Sequence, residues 1–185
     1  MPVSHTNRRG KTYYLHQGKT KTGKPKYFFS MNQDGDLLET IPDGYEIYEL
    51  PTSAQVFLCK IQPKLIWDSE KGLVKKGLAA LSDKKSYLLY IEGNAITIYE
   101  AETLQHLEEP PFSFFRKRQP QYSSTYTAVL RFVLADDEQR TFIAQRYSFL
   151  GSMESWFYLA GAAPLEGHVT KYVPRLDEDS LIDFY

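Results

Sequence analysis

The chain alternates apolar and polar positions in short runs punctuated by turn residues, the pattern of half-buried strands joined by tight connections. TYYLHQ (12–17) and PKYFFSM (25–31) are aromatic-rich runs on either side of the polar loop GKTKTGK (18–24), which predicts a β-hairpin. Asp34-Gly35 tolerates positive φ and would fold LLETI (37–41) back as the third strand of a meander. Pro42-Asp43-Gly44 introduces YEIYEL (45–50), and Pro51-Thr52-Ser53 separates it from QVFLCKI (55–61), which adds two further strands. The period then changes: Leu73, Val74, Gly77, Leu78 and Leu81 recur on one face of a helix over 69–82 that Asp68 or Ser69 can cap.

YLLYIE (87–92), Gly93-Asn94 and AITIYE (95–100) carry a strong hairpin signal, because a two-residue glycine-bearing loop matches the strand twist. In the next stretch ETLQHLEE fits a short helix, and PPFSFFRKRQPQYSS, with three prolines, reads as a long loop. YTAVLRFVLA (126–135) and RTFIAQRYSF (140–149) flank the loop DDEQ. If Ala135 opposes Arg140, then Tyr126, Ala128, Leu130, Phe132, Leu134, Ile143, Tyr147 and Phe149 form a core face. Thr127, Val129, Arg131, Val133, Phe142, Ala144, Arg146 and Ser148 form the other, which sets Arg131 and Arg146 diagonally on one mostly apolar surface. MESWFYL after Gly151-Ser152 is expected as a short capped helix or turn, LEGHVTKYV (165–173) as another helix stopped by Pro174, and DEDSLIDFY as a last helical turn. Together these runs predict a single α+β domain over residues 1–185, β-rich, dominated by antiparallel meanders and hairpins. It has one main helix at about 69–82, short C-terminal helices, a basic N-terminal hairpin arm over 1–33 and a Pro-rich loop over 101–125.

Composition changes this picture little. Hydrophobic content of 42% and charged content of 24% are ordinary for a globular chain, and 14 Tyr with 11 Phe reinforce the expectation of sheet. The single cysteine, Cys59, excludes an internal disulfide and a cysteine zinc cluster, and it favours a reducing compartment. The N-terminus MPVSHTNRRGK has no apolar h-region and no run approaches the roughly 18 apolar residues of a membrane helix, so a cytoplasmic location without membrane contact is expected. His5, His16, His106 and His168 are scattered, so no metal site is expected; no phosphate-binding loop, dinucleotide fingerprint or nucleophile elbow is present, and no cofactor is implied.

Charge distribution matters more than net charge. The overall value is −1, yet residues 1–33 carry +7 with no Asp or Glu, and the remaining 152 residues carry −8. Arg8, Arg9, Lys11, Lys19, Lys21, Lys24 and Lys26 could neutralise phosphates while Tyr13, Tyr14, Tyr27 and Phe28 stack on unpaired bases. The plainer alternative is that the lysines solubilise a hairpin tip while positions 13, 15, 27 and 29 point inward. Arg116, Lys117 and Arg118, framed by Phe112, Phe114 and Phe115, form a second aromatic-basic cluster with the same two readings, partner contact or solvated loop. Arg131 and Arg146 are the alternative anion-binding pair; their partner is a ligand or an internal carboxylate such as Glu46, Glu49, Glu92, Glu100 or the acidic tail. Cys59 could be a nucleophile, but sharing a strand face with Phe57 and Ile61 favours a buried, inert thiol.

These features support three functional readings. The leading one is a non-enzymatic binding module that contacts nucleic acid or an acidic protein partner through the basic aromatic hairpin. The second is an enzyme or small-anion receptor using Arg131 and Arg146, and the third is a structural or assembly subunit whose aromatics form an oligomer interface. KTGKPKYFFS (21–30), IPDGYEIYE (41–49), LRFVL (130–134) and QRYSFLGS (145–152) resemble an uncharacterised family of bacterial hypothetical proteins. That resemblance covers most of the chain and implies a bacterial cytoplasmic origin; it carries no activity and no functional residues.

Overall fold

The computed structural model of the chain describes residues 1–81, 85–101, 125–150 and 153–176. The expected helix at ETLQHLEE, the Pro-rich loop with Arg116, Lys117 and Arg118, and the acidic C-terminal turn lie outside those residues. The chain divides into two compact units, with Met1–Gln62 in the first and the described residues from Pro63 onward, Thr125 apart, in the second.

Among the described residues the regular elements of the first unit are all strands. Strands β1 (Ser4–Thr6), β2 (Thr12–Lys19) and β3 (Pro25–Ser30) make a three-stranded antiparallel sheet, and β4 (Tyr45–Glu49) pairs with β5 (Val56–Lys60) in a second. The basic hairpin β2–β3 makes up two strands of the first of these sheets. LLETI does not form the expected third strand: its contact reduces to an isolated bridge between His16 and Leu37, with Leu38 N donating to Leu15 O at 2.9 Å. The polar run 31–36 bonds to itself, with Asp34 N on Asn32 Oδ1, and so interrupts the pairing. The third strand of the sheet is β1, on the edge of β2 away from β3.

The second unit is an antiparallel five-stranded sheet in the order β10-β9-β8-β7-β6, built from β6 (Tyr87–Glu92), β7 (Ala95–Ala101), β8 (Tyr126–Asp136), β9 (Thr141–Leu150) and β10 (Met153–Pro164). Helices α1 (Asp68–Ala79) and α2 (Leu165–Tyr172) cover one face, and Pro174–Leu176 adds a 3-10 turn. Val74, Val169, Tyr172 and Val173 pack with Ile96, Ile98, Leu130, Phe132, Phe142 and Ala144 in the core, the apolar burial that holds these layers together. The segment MESWFYL is strand β10 and not a helix or turn, because it pairs residue by residue with β9 from Met153↔Leu150 to Tyr158↔Gln145. The cap of α1 falls one residue before the expected positions: Trp67 precedes the helix and its backbone N–H donates to Glu70 Oε2 at 2.8 Å.

One register differs from expectation with large effect. β8 and β9 pair as Leu130↔Arg146, Phe132↔Ala144 and Leu134↔Phe142, and an irregularity between Leu134 and Asp136 absorbs one residue. The turn ends on Arg140, held at φ 51. A one-residue shift exchanges the two faces of a strand. Phe142, Ala144 and Arg146 are consequently buried with Leu130 and Phe132, and Ile143 and Tyr147 lie on the face opposite the helices.

Candidate functional site

The hairpin β2–β3 owes its shape to its tip. Thr20 N donates to Lys24 O at 2.8 Å, Gly23 N to Thr20 O at 2.9 Å and Lys24 N to Thr20 Oγ1 at 3.1 Å, with Gly23 at φ 79. This is a short turn followed by a left-handed glycine, the geometry that closes a three-residue hairpin loop. The tip is thus ordered by its own hydrogen bonds. Lys19, Lys21, Lys24 and Lys26 are all exposed on it, and none of the four makes an ion pair among the described residues.

The pairing Leu15↔Phe29, His16↔Phe28, Gln17↔Tyr27 and Gly18↔Lys26 sorts the side chains into two faces. Tyr13, Leu15, Tyr27, Phe29 and Lys19 share one; Leu15 is fully buried, and the Tyr27 ring meets Tyr45 edge-on at 5.6 Å. Tyr14, His16, Phe28 and Lys26 share the other. There Phe28 stacks on His16 with centroids 5.2 Å apart, Lys26 Nζ lies 6.0 Å from the Phe28 ring centre, and the Tyr14 hydroxyl accepts from Gln33 Nε2 at 2.6 Å. The lysines therefore flank both faces of the ribbon instead of converging on one.

The other basic residues of this unit stand apart. Arg8 donates through its backbone N–H and Nη1 to Glu49 Oε1 at 3.2 and 2.9 Å, through Nη1 to Leu50 O at 3.0 Å and through Nη2 to Pro51 O. Glu49 also meets His5 Nε2 at 3.1 Å. Arg8 is a clamp between the β1–β2 turn and the β4–β5 turn. Arg9 is half-buried and Lys11 exposed, and the backbone N–H groups of both donate to Asn7 Oδ1 at 3.0 and 2.9 Å. Cys59 is only half-buried, on a face whose neighbours Phe57 and Ile61 are exposed, so the expected buried thiol is not what the strand gives. Burial, followed by the nearby Glu46 charge, still pushes its pKa up, which keeps it a thiol and a poor nucleophile.

In the second unit the register places Arg131 and Arg146 on opposite faces of the sheet, so the shared surface expected for them does not form. Arg146 is buried on the helix-covered face. Arg131 lies on the other, donating through Nε to Gln145 Oε1 at 2.7 Å with its guanidinium 4.1 Å from the Trp156 ring centre. Of the described carboxylates considered for it, Glu92 is the one that acts on it: burial lowers the Arg131 pKa and the Glu92 charge opposes the shift. Beside them burial pushes the Tyr99 hydroxyl up to about 12, helped by the Glu92 charge and by a hydrogen bond to that carboxylate.

The arginine that organises this unit is one that sequence reasoning passed over. Arg140 donates through Nε and Nη2 to Glu70 Oε1 and Oε2 at 2.9 and 2.6 Å, through Nη2 to Leu65 O at 3.1 Å and through Nη1 to Asp137, under the Trp67 ring at 4.1 Å. Its hydrogen bond to Glu70 pushes its pKa up. The local cue was Asp137 three residues earlier; nothing local marks Glu70 as its main partner. Among the described residues no group of three or more His, Cys, Asp and Glu side chains is close enough to hold a metal ion, and no helix is long and apolar enough to cross a membrane.

The fold and the tip geometry define a β-rich α+β chain with an ordered basic β-ribbon. Compared with known proteins, the chain matches no protein-family model, no curated protein and no solved structure.

Proposed function

We propose that the chain is a non-enzymatic nucleic-acid-binding module whose contact is the tip of the β2–β3 hairpin. One observation carries this reading: four exposed lysines, none in an ion pair with a described residue, stand on a loop already ordered by its own hydrogen bonds. Ammonium groups on an ordered loop take up phosphates, and release the counterions condensed on them, at little conformational cost; that release supplies essentially all of non-specific nucleic-acid affinity. Lysines flank both faces of the ribbon, so they can reach phosphates on either side of it. Arg8 is left out of the proposed contact, because its guanidinium is already bonded to Glu49, Leu50 and Pro51. Anisotropy titrations with labelled single-stranded and duplex oligonucleotides at several salt concentrations test the proposal. Binding that weakens with salt, and that Lys21→Glu with Lys24→Glu abolishes, is expected. Absence of binding at low salt, or binding indifferent to that pair, sinks it.

A further inference from the structure

The second face of the hairpin narrows the ligand, on the premise that the hairpin is the contact. We infer that the bound strand is unpaired and that one of its bases stacks on Phe28. Among the aromatics of β2 and β3, Tyr13, Tyr27 and Phe29 share the face of fully buried Leu15, and the Tyr14 hydroxyl is bonded to Gln33. Phe28 alone combines exposure with a rigid seat. It keeps 42% of its surface open, yet its ring lies parallel to His16 within 10° at 5.2 Å. His16 is itself buried and bonded through Nε2 to Asn32 O at 3.0 Å, and Gln17 N to Asp36 O at 2.9 Å holds the 32–36 turn against the same strand. The ring is thus held in place before any ligand arrives.

Its surroundings suit a nucleotide. Lys26 Nζ lies 6.0 Å from the ring centre, and the residue opposite Lys26 is Gly18, where even an added Cβ would come no closer than 3.5 Å to Phe28 Cε1. A base on the ring therefore meets no bulky neighbour at that position, and its phosphates fall within reach of the tip lysines. Phe offers no hydrogen bond to a base edge, so the site reads no sequence; it accepts any base with a free π-face, which a duplex does not present.

The test uses the full chain with three labelled probes of one length: oligo(dT), its duplex with oligo(dA), and an abasic deoxyribose-phosphate strand. Oligo(dT) is expected to bind about 5- to 150-fold more tightly than the abasic strand, the range one base–aromatic stack supplies, and more tightly than the duplex. Phe28→Ala should erase the preference without changing the salt dependence, and Phe28→Trp should restore it; coincident thermal melts of the variants establish that each is folded. Equal affinity for oligo(dT) and the abasic strand, a duplex bound as tightly as oligo(dT), or an unaltered Phe28→Ala overturns the stacking while leaving the lysine contact standing. No binding of the wild-type chain to any probe at low salt overturns the lysine contact itself.

Discussion

The hairpins β2–β3 and β8–β9 look alike in sequence and use their cations in opposite ways. Each joins aromatic strands through a polar tip, and in each a residue of positive φ lies at the end of the turn, Gly23 at φ 79 and Arg140 at φ 51. At the first tip four lysines stand without ion pairs to any described residue. At the second, Arg140 is bonded to Glu70, Asp137 and Leu65 O and covered by Trp67. A cation on a turn thus takes its role from what folds over it: α1 brings Glu70 onto Arg140, and no described carboxylate comes to the lysines. The largest expected effect follows from that difference. Arg140→Ala leaves the Glu70 carboxylate in a site only 10% exposed, and removing one partner of such a pair costs about 3–5 kcal/mol. Urea unfolding of the full chain measures it. Arg140→Gly relieves the positive φ and should recover at most about 1 kcal/mol. A loss below about 1 kcal/mol for Arg140→Ala would mean that the pair is screened like a surface one, and the contrast between the tips would fail.

The second unit also engages the Tyr99 hydroxyl internally, and pH exposes this. Tyr99 is pushed up to about 12, by burial first and then by Glu92. Its folded pKa lies above the unfolded value near 10, so its contribution is complete below about pH 10 and is lost as pH rises from about 10 through 12. Across that window the wild-type chain should lose roughly 2 kcal/mol more than Tyr99→Phe, read from urea unfolding at about pH 9 and pH 12. Parallel losses in the two proteins would show that the buried Tyr99 hydroxyl does not shape stability.

Most elements were legible because local patterns set them. Strands β2 to β7 and helix α1 announce themselves by alternation, turn residues or helical period within a window of a dozen positions. β10 was missed for a long-range reason: MESWFYL is apolar nearly throughout, so it shows no clean period, and pairing with β9 decides its state. The fate of Arg131 and Arg146 turned on one residue. The irregularity between Leu134 and Asp136 moves β9 by a single position, too fine a distinction for loop length to supply, and it separates the two guanidiniums. The lysines were legible as charge, and the absence of ion pairs to them from the described residues was not, since that depends on where each carboxylate lands. Phe28 became distinct from Tyr27 only through the His16↔Phe28 register.

Packing offers a third contrast, through two glycines. A Cβ on Gly77 of α1 would lie 2.8 Å from Val169 Cγ1 and 3.5 Å from Val173 Cγ1, whereas one on Gly18 of β2 would meet only ordinary contacts. Gly77→Ala gains about 1 kcal/mol of helix propensity and overpacks the seam between α1 and α2 at a cost of about 1–3 kcal/mol, for a net loss of up to about 2 kcal/mol. Gly18→Ala should be neutral or stabilising by up to about 1 kcal/mol. Thermal unfolding of both variants checks the sign of each. Equal outcomes would indicate that Val169 yields freely, and that the helix seam is no tighter than the ribbon surface.

The smallest expected change in stability belongs to the residues proposed to matter most for binding. Lys21→Glu with Lys24→Glu touches two exposed side chains that make no ion pair among the described residues, so the free energy of unfolding should stay within about 0.5 kcal/mol of wild type. Reversing both charges removes two phosphate contacts, each worth about 0.7–0.9 in the slope of log affinity against log salt, and adds repulsion. A large effect on binding with none on unfolding is the signature of a group kept free for a ligand, the opposite of what Arg140 should give. If the pair of substitutions instead destabilises the chain by more than about 1 kcal/mol, the lysines serve the hairpin itself, and the two tips differ in degree and not in kind.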